Sequence, residues 1–180
     1  MSLRRLSHRD KTKASPASRT SAQRKQLIHR ALVLHFMLQL SLEEDADTRL
    51  KSRGMGRVQH RILYFAHFSP GITVGELLIV LDVRHQNIQR SLRQLVEAGF
   101  VLARQNPNDG RIRQLYSSRK GDKLLEFVSA AQRERIGRAL DHATSAHVKS
   151  YLKVMAAMLG PDRRGWVERL TTIDDPTEAV

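Results

Sequence analysis

Hydrophobic and polar positions change their period several times along the chain, and each change marks an element. From Ser21 to about Lys51, Leu27, Ala31, Leu34 and Leu38 fall on one helical stripe, with Ile28, Leu32, His35 and Leu42 on its neighbour. A long helix is predicted, with an apolar face wider than one partner helix needs. Its acids Glu43, Glu44, Asp45 and Asp47 sit poorly beside a negative helix C-terminus, so the helix is expected to run on to Leu50 before Gly54 and Gly56. Residues 57–68 read as a short amphipathic helix with Ile62, Leu63, Phe65 and Ala66 inward, ended by Ser69-Pro70-Gly71. Thr73, with Glu76 three residues on, is a capping box for a further helix whose Leu77, Leu78 and Leu81 share a side. Asp82 and Val83 leave no room for a separating loop, so the next helix must cross closely. There Ile88, Leu92, Leu95 and Val96 make a core stripe, and Gly99 marks the stop. Phe100, Val101 and Leu102 fit a strand, and Ile112, Leu115 and Tyr116 fit its return partner, with turn residues dense over 106–110. After Gly121 comes a helical region led by Leu124, Leu125, Phe127, Val128, Ala131 and Ile136. A break is expected near His142, and a second apolar group follows in Val148, Tyr151, Leu152, Met155, Met158 and Leu159. Gly160-Pro161 stops that region, and Asp162 is expected to cap a last short helix carrying Trp166, Val167 and Leu170.

The order from Ile72 to Tyr116 is helix, tight turn, helix, strand, basic loop, strand. That is the outline of a winged helix-turn-helix, so the fold class is mostly α (α+β). The outer face of the second helix carries Gln86, Gln89, Arg90 and Arg93, whose hydrogen-bonding groups match adenine and guanine edges. Arg104, Arg111 and Arg113 flank the hairpin turn and would meet a phosphate backbone. Composition agrees: 31 Lys and Arg stand against 18 Asp and Glu, a formal charge of +13, which points to a polyanionic partner. Residues 1–20 are basic, nearly free of acid and too polar to order themselves, so they read as a disordered arm on DNA phosphates or as a solvated tail. The absence of cysteine excludes a disulfide framework and a thiolate zinc finger, and fits a reducing cytoplasm. No apolar run is long enough for a membrane span, and no secretory signal is read in the N-terminus. None of the eight histidines is paired at i, i+4, so no metal site is expected. No phosphate loop, nucleophile elbow or apolar acid pair is present, so neither an enzyme nor a bound cofactor is expected.

The stretch VEAGFVLARQNPNDGRIRQLYSSRKG, with the helix-turn-helix before it, resembles the MarR family of bacterial transcription regulators. Asp109-Gly110-Arg111 matches the Asp-x-Arg motif of that family's wing. The Leu-Thr-x-x-Gly that usually follows is represented only by residues 115–121, without the Thr and with looser spacing; Ser117 or Ser118 remains available as a cap. The resemblance covers roughly residues 50–130. It implies a homodimer that reads double-stranded DNA as a repressor and can answer to a small-molecule effector. The implied organisation is a basic arm over 1–20, an N-terminal dimerisation helix over 21–56, the winged helix-turn-helix over 57–118, C-terminal dimerisation helices over 119–172 and a frayed acidic tail over 173–180. Arg84, His85, Gln86, Asn87, Gln89 and Arg90 are expected at base edges or adjacent phosphates, and Thr73 and Arg93 at phosphates. In the wing, Arg111 or Arg113 is expected in the minor groove, with Asp109 orienting an Arg by a charge-assisted hydrogen bond. The candidates for lining an effector pocket are His35, His60, Tyr64, His67 and Phe68. The alternative is an architectural or RNA-binding winged helix without sequence preference; the scarcity of aromatics on the outer face argues against RNA.

Overall fold

A computed structural model of the chain describes residues 20–171. Most of the expected basic arm and all of the expected acidic tail lie outside the described residues. Two compact units are present, one reaching Leu40 and one beginning at Ser41.

The first unit holds the early turns of helix α1 (Ser21–Lys51). Thr20 and Gln23 cap them reciprocally: the Thr20 N–H donates to Gln23 Oε1 at 3.0 Å and the Gln23 N–H to Thr20 Oγ1 at 3.3 Å. Within this unit the apolar side chains are open, Leu32, Leu34 and Phe36 being 60–65 % exposed.

The second unit begins with the last turns of α1, where Ala46 and Leu50 are buried. It continues through α2 (Arg57–Phe68), β1 (Ile72–Thr73), α3 (Val74–Leu81), α4 (His85–Glu97), β2 (Val101–Asn106), β3 (Asp109–Ser117), α5 (Arg119–Asp141), α6 (Ser145–Met158) and α7 (Pro161–Thr171). The acids of α1 oppose arginines on neighbouring elements: Glu43 and Asp47 pair with Arg57, and Asp45 pairs with Arg135 at 2.7 Å. The helix also runs on past these acids to Lys51, so they do not stand at its terminus. The Arg57 and Arg135 guanidiniums, by hydrogen bonding first, hold the carboxyls of Asp47 and Asp45 below their usual range.

The core is built where one face of each element meets the others. Ile62 and Leu63 of α2, Leu77 of α3, Ile88 and Leu95 of α4 and Val128 of α5 are fully buried together with Ile72, Val101 and Leu115 of the sheet. The sheet has the order β1-β3-β2, antiparallel throughout. Leu115 faces Ile72 on one side and Ala103 on the other. Strand β1 is absent from the sequence reading, because two residues carry no alternation to detect.

Two expectations are corrected. Val96, placed in the core stripe of α4, is 39 % exposed, because its side of the helix faces Ala103 and Ile112 of the hairpin across open space. Leu102 and Ile112 take the strand positions expected of them. Asp162 is not a cap, since α7 begins at Pro161 and puts Asp162 inside the first turn. The break between α5 and α6 falls at His142 as the pattern indicates.

Candidate nucleic-acid interface

Three local devices aim this surface. Thr73 caps α3 with its Oγ1 accepting the Glu76 N–H at 3.2 Å, while Glu76 Oε2 accepts the Thr73 N–H at 2.8 Å. Asp82 then takes φ 49° and ψ 48°, a left-handed conformation that turns the chain within a few residues and brings α4 close across α3. Gly99, at φ 71°, releases the chain from α4 into β2.

The wing is shaped by its own side chains. Asn106 Oδ1 accepts the Asn108 N–H at 2.8 Å, and Asp109 Oδ1 accepts the Arg111 N–H at 2.9 Å. The expectation that Asp109 would orient an arginine head is therefore corrected: its hydrogen bond goes to the backbone of Arg111. Pro107 and Asn108 form the tip, because Asn106 pairs directly with Asp109. Arg104 lies over the Tyr116 ring, 5.1 Å from its centroid.

Between the start of α3, the outer face of α4 and the wing lies an open groove of about 950 Å³. Thr73, His85, Gln89, Arg93, Arg111 and Arg113 all line it. Gln89 Nε2 rests 3.3 Å from His85 Nε2, so the two share one edge of α4. Arg84 is the N-cap residue of α4, and Gln86 is exposed in its first turn. Asn87 and Arg90 sit round the helix and border a smaller hollow with residues 56–59 of the α2 start. Among the described residues, none of Arg84, Arg90, Arg93, Arg111 and Arg113 has a carboxylate partner, whereas Arg57, Arg135, Arg138 and Arg169 all do. Cations clustered on one surface raise a positive potential that attracts an anionic partner. Missed by the sequence reading are the groove walls Val96, placed there in a core stripe, Ile112, placed there only in a strand, and Ala103.

Of the four effector-pocket candidates in the second unit, three come together. Tyr64, His67 and Phe68 line a cavity of about 590 Å³ with Leu42, Leu125 and Ile136. His67 Nδ1 lies 2.7 Å from Asp122 Oδ1, which also accepts the Ser117 hydroxyl at 2.5 Å. Burial pushes the Tyr64 hydroxyl above its ordinary pKa. His60 is not a lining residue; its Nε2 is 3.5 Å from Ser129 Oγ, and burial lowers its pKa. His35 belongs to the other unit, with Nδ1 2.8 Å from the Ala31 carbonyl oxygen. Asp122 and Lys123 line the cavity too, and no periodicity marks them. Among the described residues there is no cluster of three metal-ligating side chains, and no helix is long and apolar enough to cross a membrane.

The MarR family model matches residues 53–112, which hold every lining residue of the groove named above except Arg113. The chain is 37 % identical over 120 residues to the HTH-type transcriptional regulator PetP of Rhodobacter capsulatus, covering 67 % of this chain and 72 % of the relative. Among solved structures, it is similar to a MarR family transcription regulator at a TM-score of 0.63 and 20 % identity, covering 76 % of this chain and 90 % of the other. It is also similar to a mutant MepR of S. aureus bound to an oligodeoxyribonucleotide, at a TM-score of 0.50 and 19 % identity, covering 72 % and 98 %.

Proposed function

The chain belongs to the MarR family of transcription regulators, and from that premise we propose that it is a sequence-specific repressor that binds double-stranded DNA as a homodimer. The observation that carries the reading is the set of arginines without carboxylate partners on α4 and the wing, beside the exposed Gln86 and Gln89. Helix α4 enters the major groove with Gln86, Gln89 and Arg84 at base edges, and Arg111 or Arg113 of the wing reaches the flanking minor groove. Arg93 and the start of α3 at Thr73 meet the backbone between them. The apolar side chains left open on α1 and α6 suit a second copy of the chain, which sets two recognition helices about one DNA turn apart. The cavity beside Tyr64 and His67 suits a small effector. Such a ligand would act by binding better to one spacing of the two recognition helices than to the other. This work belongs in the cytoplasm, where the DNA is.

Selection of bound fragments from a random duplex library, at near-physiological salt and with double-stranded RNA as competitor, tests the reading. An inverted repeat with half-sites about 10 base pairs apart is the expected product. Recovery of no consensus, with binding that collapses as salt rises, would leave only the electrostatic term and favour an architectural or RNA-binding role. On the selected duplex, Gln86→Ala and Gln89→Ala should relax preference at single positions, by about 1–3 kcal/mol each. Arg113→Ala should weaken binding to all sequences alike and lower the salt slope by about one.

A further inference from the structure

Glu76 puts a negative charge where the proposed function needs a phosphate. Its Oε2 accepts both the Thr73 N–H at 2.8 Å and the Thr73 hydroxyl at 2.9 Å, so the carboxylate lies against the residue expected at the DNA backbone. Val74 and Gly75, the first two residues of α3, line the same groove. Burial pushes the Glu76 carboxyl up, but hydrogen bonds from Arg169 and Thr73 outweigh it and hold the carboxyl below its usual range. Glu76 is therefore ionised at neutral pH, and an uncompensated carboxylate there would repel an incoming phosphate.

The compensation comes from 93 residues away in sequence. Arg169 of α7 donates through Nη1 to Glu76 Oε1 at 2.5 Å. Its guanidinium also lies over the Trp166 ring, 4.8 Å from the centroid. Trp166 in turn meets Phe65 edge-on, with centroids 5.7 Å apart and planes at 87°. Phe65 packs against the core of the winged module. The arginine is thus held by a ring that is itself anchored, which lowers the entropy lost in keeping the ion pair.

From this chain of contacts we infer that Arg169 is a positioning residue for DNA: by neutralising Glu76 it lets the N-terminus of α3 receive a phosphate, and it makes α7 part of the DNA-binding apparatus. The inference rests on the DNA-binding reading and deepens it. Arg169 itself needs no contact with DNA.

A double-mutant cycle decides it, with dissociation constants on the selected duplex measured across a salt series and melting temperatures taken in parallel. Arg169→Gln should weaken binding about tenfold, and Arg169→Lys should recover most of that loss. Glu76→Gln keeps an amide oxygen for the cap and removes the charge; it should bind at least as tightly as the parent protein. In the Glu76→Gln background, Arg169→Gln should change affinity less than about twofold. Equal losses in both backgrounds, with a salt slope lower by about one, would show that Arg169 holds a phosphate directly and would overturn the inference. So would unchanged affinity in Arg169→Gln, or a loss of affinity that follows a fallen melting temperature and is not restored by Arg169→Lys. Failure of the parent protein to bind any duplex would remove the DNA-binding reading, and this inference with it.

Discussion

A methyl group at position 121 would lie within van der Waals distance of the Phe100 carbonyl oxygen and 2.9 Å from Leu63 Cδ1. Gly121 is buried in the first turn of α5, where the helix meets the end of α4 and the start of β2. Ser118 stands three residues before it, caps the helix by accepting the Gly121 N–H at 3.0 Å, and donates to the Gly99 carbonyl at 2.7 Å. The spacing that looked loose in the sequence is therefore a Ser-x-x-Gly, with Ser118 at the cap position. Gly121→Ala should destabilise the protein by about 1–3 kcal/mol, since the obstacle is backbone and cannot swing aside. Gly110→Ala is the control, because a side chain there meets nothing within 4 Å. Urea unfolding of both variants checks the difference; equal midpoints would remove the steric argument.

At the scale of elements, the packing of α2 on α5 is expected to respond to protonation of His60. His60 of α2 is half-buried beside Ser129 of α5. Its pKa is lowered by burial first and by Arg61 next, with Asp47 opposing. A depressed pKa means that the unfolded chain binds the proton more readily than the folded one. The contribution to stability is then complete above the unfolded value of 6.5 and is lost as pH falls through the folded value. The melting temperature should drop as the pH is lowered below about 6.5, and His60→Gln should flatten that part of the curve. A curve unchanged by the substitution would assign the titration elsewhere. Other elements were legible for local reasons. The capping box of Thr73 and Glu76, the αL turn at Asp82 and the stop at Gly99 are written in a few adjacent residues. The two-residue β1 is not, because only pairing with Leu115 makes Ile72 a strand residue.

For the whole molecule, the open apolar surface is the unresolved charge on stability. Phe36 and Leu32 in the N-terminal unit are exposed, and so are Leu152, Val154 and Met158 of α6 in the other. Single exposed apolar side chains are ordinary, but such a density on helices calls for a cover. If a second copy provides it, Phe36→Glu or Leu152→Glu should raise the dimer dissociation constant by about 30-fold or more, read by sedimentation. The same variants should lose preference for an inverted repeat over a half-site. A parent protein that sediments as a monomer at micromolar concentration would refute this assembly.

The sequence by itself determined the order of the helices and of the two wing strands, the polar outer face of α4 and the cationic wing. Those follow from periodicity, caps and turn residues, which act between neighbours in the chain. It also marked Gln86, Gln89 and Arg93, because a polar face opposite an apolar stripe has to point outward, and Arg111 and Arg113, because they flank a turn. Only the tertiary structure decided that Val96 walls a groove instead of filling a core, that His60 stands apart from Tyr64 and His67, and that Arg169 answers Glu76. Each of these depends on which distant surfaces meet, and hydrophobicity along a chain says that a side chain seeks cover without saying what covers it.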